Sequence, residues 1–340
     1  MTSPLGKDHF ISQRLSPEVV HYEITGKHRL MLVWQLWRLL SRKKIQVLLA
    51  VDTKASVLAC LVKPWLSQEV KIYSCFRNAL FSESSVPKTT LSARLLRQMR
   101  CIKKRATAVL TNSQGLAEQL AFLLERCPEE IGVVPNGVLD DTFWQRASEP
   151  VVHPWLINKE HPVILGVGRL VRQKDWPTLI QAFALLREKI SCRLILVGQG
   201  DMAERLKSLV WELNIASDVA FPGFVSNALP WMRDASVVAL SSLHEGLPNV
   251  LIEAMVLGTP AVATDCPFGP AEIIAQLGNG QLVPIGDAVK MSEALLNVLL
   301  SPPIPPSPEQ LKTYSAVRES RIIQSYLGLK RSLYEVSNDT

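Results

Sequence analysis

From residue 163 onward, short apolar runs alternate with stretches of helical spacing. Val163–Val167, Arg193–Val197, Val219–Phe221, Val237–Leu240, Ala261–Thr264 and Gln281–Val283 predict strands. Helical patterns separate or follow them at 175–189, 202–213, 226–233, 249–257, 270–276 and 287–300. Strands without polar alternation are suited to burial on both faces. Strict strand–helix alternation predicts a parallel sheet clothed by helices on either side, an α/β architecture.

The first half is looser. Residues 1 to about 25 are polar and irregular. His28–Arg42 predicts a basic, apolar helix with Leu30, Val33, Trp34, Trp37 and Leu40 on one stripe. Ile45–Val51 reads as a buried strand, Thr53–Lys63 as a helix ended by Pro64, and Val70–Ser74 as the next strand. Over 88–105, Arg94, Arg97, Arg100 and Lys104 recur at helical spacing, opposite Leu91, Leu95, Met99 and Ile102. Ala108–Leu110 predicts a strand, Ser113 a helix cap, and Asn136-Gly137 a turn after Gly132–Pro135. The proline-bearing 140–160 predicts a linker, and Pro302–Pro306 breaks the chain before a last helical stretch over 308–335. The expected division is therefore 1–148, 149–305 and a C-terminal helical segment, 306–340.

Composition supports a globular chain: 340 residues, 47% hydrophobic and 20% charged. The charge is uneven. Residues 1–150 hold 21 Lys and Arg against 13 Asp and Glu, and the remainder 16 against 18. Six scattered cysteines with no Cys-x-x-Cys fit reduced thiols in a cytosol and argue against structural zinc. No signal peptide or transmembrane run is evident, since Asp52 and Lys54 interrupt the most apolar region. A cytoplasmic protein is expected. The basic 88–105 helix suits either plain solvation or peripheral contact with anionic lipid, and no nucleic-acid motif accompanies its charge.

The candidate chemistry gathers around Ser241–Pro260. A buried strand ends at Leu240, an acidic turn follows, and Pro248 is placed as the first residue of a helix that Gly258 and Pro260 close. Unpaired N–H groups at such a helix start make an anion site. Glu245 and Glu253 suit hydroxyl groups beside that anion, as a sugar nucleotide would offer. Glu253 lies in an otherwise apolar helix, where a carboxylate needs partners. After Val167, Arg169 and Lys174 belong to the same sheet edge, a fork and a point charge fit for a diphosphate. Gly198-Gln-Gly200-Asp-Met-Ala203 matches a dinucleotide fingerprint, yet the strand after it ends without the acid that pattern wants, so a tight turn is the better reading.

Taken together, several motifs resemble the retaining glycosyltransferases of family 4. They are Gly168-Arg169-Leu170 with Lys174, Leu196–Gly200, Pro222–Val225, Glu245-Gly-Leu-Pro-Asn-Val-Leu-Ile-Glu253-Ala, Gly258–Asp265 and Gly269-Pro-Ala-Glu272. The match runs from about 130 to 300 in order. It implies the GT-B fold, two Rossmann-like domains facing across a cleft. It also implies transfer of a sugar with retention and without a metal or other cofactor, from a nucleotide-sugar donor with uridine diphosphate as leaving group. Glu245, Arg169 and Lys174 would be catalytic. Gly168, Phe224, Val225, Gly246, Leu247, Asn249, Val250 and Glu253 would bind the donor. The acceptor would be a glycan or lipid-linked sugar, with Arg77 and Asn78 on its side. The opening strand and glycine-rich loop usual in this family have no counterpart here, so the first domain is expected to be incomplete. Two other readings stay open: a nucleotide-sugar-binding protein without activity, and a dinucleotide oxidoreductase.

Overall fold

The computed structural model describes residues 20, 22–26, 28–67, 69–80 and 91–328. In the first domain, β1 (Val47–Val51), β2 (Lys71–Phe76), β3 (Ala108–Thr111) and β4 (Ile131–Val133) form a parallel sheet in the order β1-β2-β3-β4. The helices α1 (Arg29–Lys43), α2 (Thr53–Val62), α3 (Ala93–Arg105) and α4 (Gln114–Leu124) interleave with the strands. Residues 88–90 of the expected basic helix lie outside the described residues.

Strand alternation sorts this sheet into two faces. Ala50, Ile72, Phe76 and Val109 pack under α2, α3 and α4, whereas Tyr73, Cys75 and Leu110 face the other way. Local chemistry fixes the helix starts. Asp52, Ser92 and Ser113 accept from the N–H groups of Ala55, Leu95 and Leu116.

The linker region folds into two short helices, α5 (Phe143–Ala147) and α6 (Pro154–Asn158). The second domain then runs β5 (Val163–Val167), α7 (Trp176–Arg187), β6 (Arg193–Val197), α8 (Ala203–Glu212), β7 (Val219–Gly223), α9 (Leu229–Asp234), β8 (Val237–Leu240), α10 (Asn249–Val256), β9 (Ala261–Thr264), α11 (Pro270–Leu277), β10 (Gly280–Val283) and α12 (Ala288–Leu300). Every strand pair is parallel, in the order β10-β9-β8-β5-β6-β7. One face packs on α7, α8 and α12, the other on α9, α10 and α11. The strand order reverses between β5 and β8, and in such sheets the crevice beyond the strand ends at that point receives ligands.

The last helical stretch is broken into α13 (Pro308–Leu311) and α14 (Ala316–Leu327), and 329–335 lie outside the described residues. α14 returns to the first domain, where Ile322, Ile323 and Leu327 cover the face bearing Tyr73, Cys75 and Leu110. Arg77 Nη2 meets Glu319 Oε1 at 2.6 Å, and the Gly137 N–H donates to Glu319 Oε2 at 2.8 Å. The chain passes between the domains twice, and the two passes pair where Leu139 and Ser315 form a parallel bridge.

The Gly198 turn explains its glycines by packing. A Cβ at Gly198 would stand 1.8 Å from the Gly168 carbonyl oxygen, and one at Gly200 2.2 Å from that of Leu170. The glycines therefore let the loops after β5 and β6 lie backbone against backbone. Gly198→Ala would push that neighbouring loop aside, and rigid backbone cannot yield as a side-chain tip can. We expect the denaturation midpoint to fall by an amount corresponding to ~2 kcal/mol or more; an unchanged midpoint would contradict this packing.

Candidate functional site

The loops after β5 and β8 are sewn together at the strand-order reversal. The Leu243 N–H donates to the Gln173 carbonyl, Gln173 Nε2 to the His244 carbonyl, and Ser241 Oγ to the Lys174 carbonyl. These bonds hold two side chains in register. Lys174 Nζ lies 2.6 Å from Glu245 Oε1, and the side chains are only 13% and 9% exposed. Ser242 Oγ donates to the same carboxylate oxygen at 2.5 Å. Such a buried pair is sustained by mutual charge and added hydrogen bonds, and losing one partner strands the other. Among the described residues both of these bonds fall on Oε1, and Glu245 Oε2 has no hydrogen bond.

Arg169 shares this loop. Its carbonyl accepts the Trp176 indole N–H at 2.8 Å, while its side chain is exposed with no ion pair recorded among the described residues. Gly168 packs close beneath it, with the Lys174 side chain 3.2 Å from where its Cβ would be. The loop thus presents one neutralised cation, Lys174, and two exposed ones, Arg169 and Arg172, without an ion pair among the described residues.

The helix tip lies beside them. Pro248 is the N-cap of α10 rather than its first residue, with extended backbone, so the helix begins at Asn249. Asn249 Oδ1 accepts from Asn136 Nδ2 at 2.6 Å, and the Leu247 carbonyl accepts from the same amide at 3.1 Å. Asn136 belongs to the first domain's Asn-Gly turn. Its own Oδ1 takes Asn112 Nδ2 at 3.3 Å, and the Arg77 carbonyl accepts from that Asn112 amide as well. Gly246 meets Asn78 in an antiparallel bridge, and a Cβ there would stand 2.0 Å from the Arg77 carbonyl oxygen. Glu272, in the first turn of α11, accepts from the Gln114 and Gly115 N–H groups at the start of α4, both at 2.9 Å. The two domains therefore touch directly at the loops that precede α10 and α11.

Glu253 sits one turn into α10, between the buried Ile252 and Ala254. Burial raises its pKa above the ordinary glutamate value, with Arg146 as the modest opposing influence. No hydrogen bond to its carboxylate is recorded among the described residues. Without such a partner the low-dielectric surroundings disfavour the ionised carboxylate. Val250 and Val225 pack around the same side of the sheet, and Phe224, 65% exposed, stands at the end of β7.

The structure thus brings Gly168, Arg169, Lys174, Glu245, Gly246, Leu247 and Asn249 together at the β5/β8 crevice. Arg77 and Asn78 reach the same edge from the first domain, but the Arg77 guanidinium is engaged by Glu319. Sequence reasoning did not single out Asn112, Asn136 or Ser242 as site residues. The Asn-Gly turn was the available signal, since it predicted a bend and left its side chain free for another use. Among the described residues no cluster of three His, Cys, Asp or Glu side chains could hold a metal ion, and no helix is long and apolar enough to cross a membrane.

Comparison with known proteins gives this arrangement its relatives. Residues 150–318 match the family model Glycosyl transferases group 1. The chain is 30% identical over 195 residues to N-acetylgalactosamine-N,N'-diacetylbacillosaminyl-diphospho-undecaprenol 4-alpha-N-acetylgalactosaminyltransferase of Campylobacter jejuni, covering 57% of this chain and 51% of that one. It is 34% identical over 200 residues to the lipopolysaccharide core biosynthesis glycosyltransferase LpsE of Rhizobium meliloti, covering 58% and 55%. The chain spans about half the length of these relatives. Among solved structures, Anabaena Alr3699/HepE in complex with UDP-glucose superposes with a TM-score of 0.69 at 20% identity, covering 90% of this chain and 85% of that one. That likeness concerns the fold. Residues 150–318 are accordingly a glycosyl transferases group 1 domain, set in a chain of GT-B architecture with two Rossmann-like domains.

Proposed function

We propose that this protein is a glycosyltransferase that moves a sugar, with retention, from a uridine-diphosphate sugar to a glycan or lipid-linked acceptor. One observation carries the reading: Lys174, Glu245 and the tip of α10 converge where the strand order reverses, with Arg169 free beside them. A diphosphate placed there meets a cation fork, an ammonium and unpaired helix N–H groups. All three would stabilise the charge that develops as the sugar leaves, and Lys174 and the helix N–H groups are already held in place. Glu245 Oε2, which has no hydrogen bond among the described residues, suits a sugar hydroxyl, and Glu253 suits the ribose hydroxyls. The relatives' names, which specify polysaccharide and lipid-linked glycan synthesis, support the acceptor class. The reaction needs no cofactor from this chain in this scheme. The side chains that sequence reasoning named for catalysis and donor binding keep those proposed roles.

Arg169 and Lys174 separate chemistry from folding. Arg169 is exposed, so Arg169→Ala should leave the melting temperature unchanged while reducing donor turnover by roughly 100-fold or more in a radiolabelled-sugar assay. Lys174→Ala should lose as much turnover and also destabilise the protein by ~3 kcal/mol, because Glu245 is left buried and unpaired. Full turnover in Arg169→Ala would remove it from the reaction.

Glu253 gives a test with a sign. Its raised pKa means that the folded protein favours the protonated carboxyl more than the unfolded chain does. That contribution to stability is present at acid pH and is lost as pH rises through the folded pKa. Glu253→Gln should therefore be more thermostable than wild type at neutral pH, yet bind uridine diphosphate about 10- to 100-fold more weakly. Ribose hydroxyls donate to the ionised carboxylate, so wild-type binding should weaken on acidification through that pKa and release a proton there. Calorimetry in two buffers of different ionisation enthalpy reads that proton, which should be missing in the variant. Tight binding of NAD in place of the nucleoside diphosphate would favour the oxidoreductase reading.

A further inference from the structure

The first domain carries an apolar surface and a cationic stripe that the proposed transfer reaction does not use. On α1, Leu30, Met31 and Trp34 point outward, with Leu30 80% and Trp34 52% exposed; Trp65, just beyond α2, is 63% exposed. Leu30, Val33, Trp34, Trp37 and Trp65 line an open groove of about 370 Å³. The Arg38 guanidinium lies 5.2 Å from the Trp34 ring centroid, so the aromatic carries a cation on its flank.

This groove adjoins α3. Trp37 Nε1 donates to the Trp65 carbonyl at 2.9 Å, and two residues earlier Lys63 Nζ donates to the Arg105 carbonyl at the end of α3, also at 2.9 Å. Along α3, Arg94, Arg97, Arg100 and Lys104 are all exposed, and none has an acid within ion-pair distance among the described residues. Lys103 and Arg105, by contrast, are spent on Glu125 and the Cys60 carbonyl. The sequences of α1, α2 and α3 contain no Asp or Glu. A helical layer that pairs exposed tryptophans with cations and omits acids is ill suited to water alone. It has the chemistry of the lipid headgroup boundary, where indole rings sit and basic side chains meet anionic phosphates.

We propose that the α1–α3 layer docks on an anionic phospholipid surface, with Leu30, Trp34 and Trp65 entering the headgroup boundary and Arg94, Arg97, Arg100 and Lys104 meeting lipid phosphate. Charge complementarity selects this occupant. A protein partner completing the edge of β1 would also have to cover Leu49 and Val51, which are exposed where strand alternation turns them away from this layer. The proposal is independent of glycosyl transfer, because binding is read without donor or acceptor.

The test is flotation of the whole chain with vesicles of phosphatidylglycerol and phosphatidylcholine, compared with phosphatidylcholine alone. Binding should require phosphatidylglycerol and decline with added salt. Changing Arg94, Arg97, Arg100 and Lys104 together to Gln should lower partitioning more than about tenfold. The same four-charge change at Lys159, Lys189, Lys207 and Lys290 of the second domain should leave it nearly unaltered. Trp34→Ser with Trp65→Ser should reduce binding that survives high salt, and brominated lipid should quench less fluorescence from that variant. Circular dichroism and melting confirm that each variant is folded. Equal binding to neutral vesicles, or equal loss in the second-domain variant, would overturn the proposal. So would a light-scattering dimer that disappears in the tryptophan variant while vesicles bind nothing.

Discussion

The constraint on which the second domain turns is the closure of two parallel loops at the point where its strand order reverses. β5 and β8 are neighbours in space but far apart in sequence, and their helices leave on opposite faces. A crevice follows from that geometry. The chain fills its floor with the Lys174–Glu245 pair, tied down by backbone bonds from Gln173 and by Ser242. Removing such charges from water is costly, so an arrangement of this kind persists where ligand chemistry needs it. The same bonds that make the pair tolerable also place the tip of α10 beside it.

The first domain contributes more than a second wall. Asn136 holds both the Leu247 carbonyl and the Asn249 side chain, and Glu272 reaches back to the start of α4. The start of α10 is thus braced by the first domain. α14 adds a further brace, because it leaves the second domain and covers the open face of the first sheet. Position of the loop before α10 and relative placement of the domains are consequently linked through a few buried amides. The network is not fully satisfied, since the buried Asn112 Oδ1 has no hydrogen-bond partner among the described residues.

Much of the second domain was legible in the sequence because its strands are buried on both faces. Val163–Val167, Val237–Leu240 and Ala261–Thr264 have the observed limits expected from their apolar runs. Helix ends shifted by a residue or two, as at Pro248, where extended backbone makes it a cap. The Gly198 turn could not be settled from its letters, since a fingerprint and a packing turn use the same glycines. Only the Gly168 carbonyl lying against Gly198 distinguishes them. In the first domain the basic helix showed its spacing plainly, yet which cations were free depended on Glu125 and the Cys60 carbonyl, both distant along the chain.

Sequence alone determined the alternation of strands and helices, the acidic turn before a helix start, and the presence of cations, Arg169 and Lys174 among them, after β5. Those are properties of residues within one local segment, and periodicity and capping report them directly. The tertiary structure decided what spans segments. It set Lys174 against Glu245 while leaving Arg169 free, and it committed Arg77 to Glu319. It also gave Asn136 the task of holding α10. Each depends on which loops the sheet order makes neighbours, and no local pattern of side chains encodes that order.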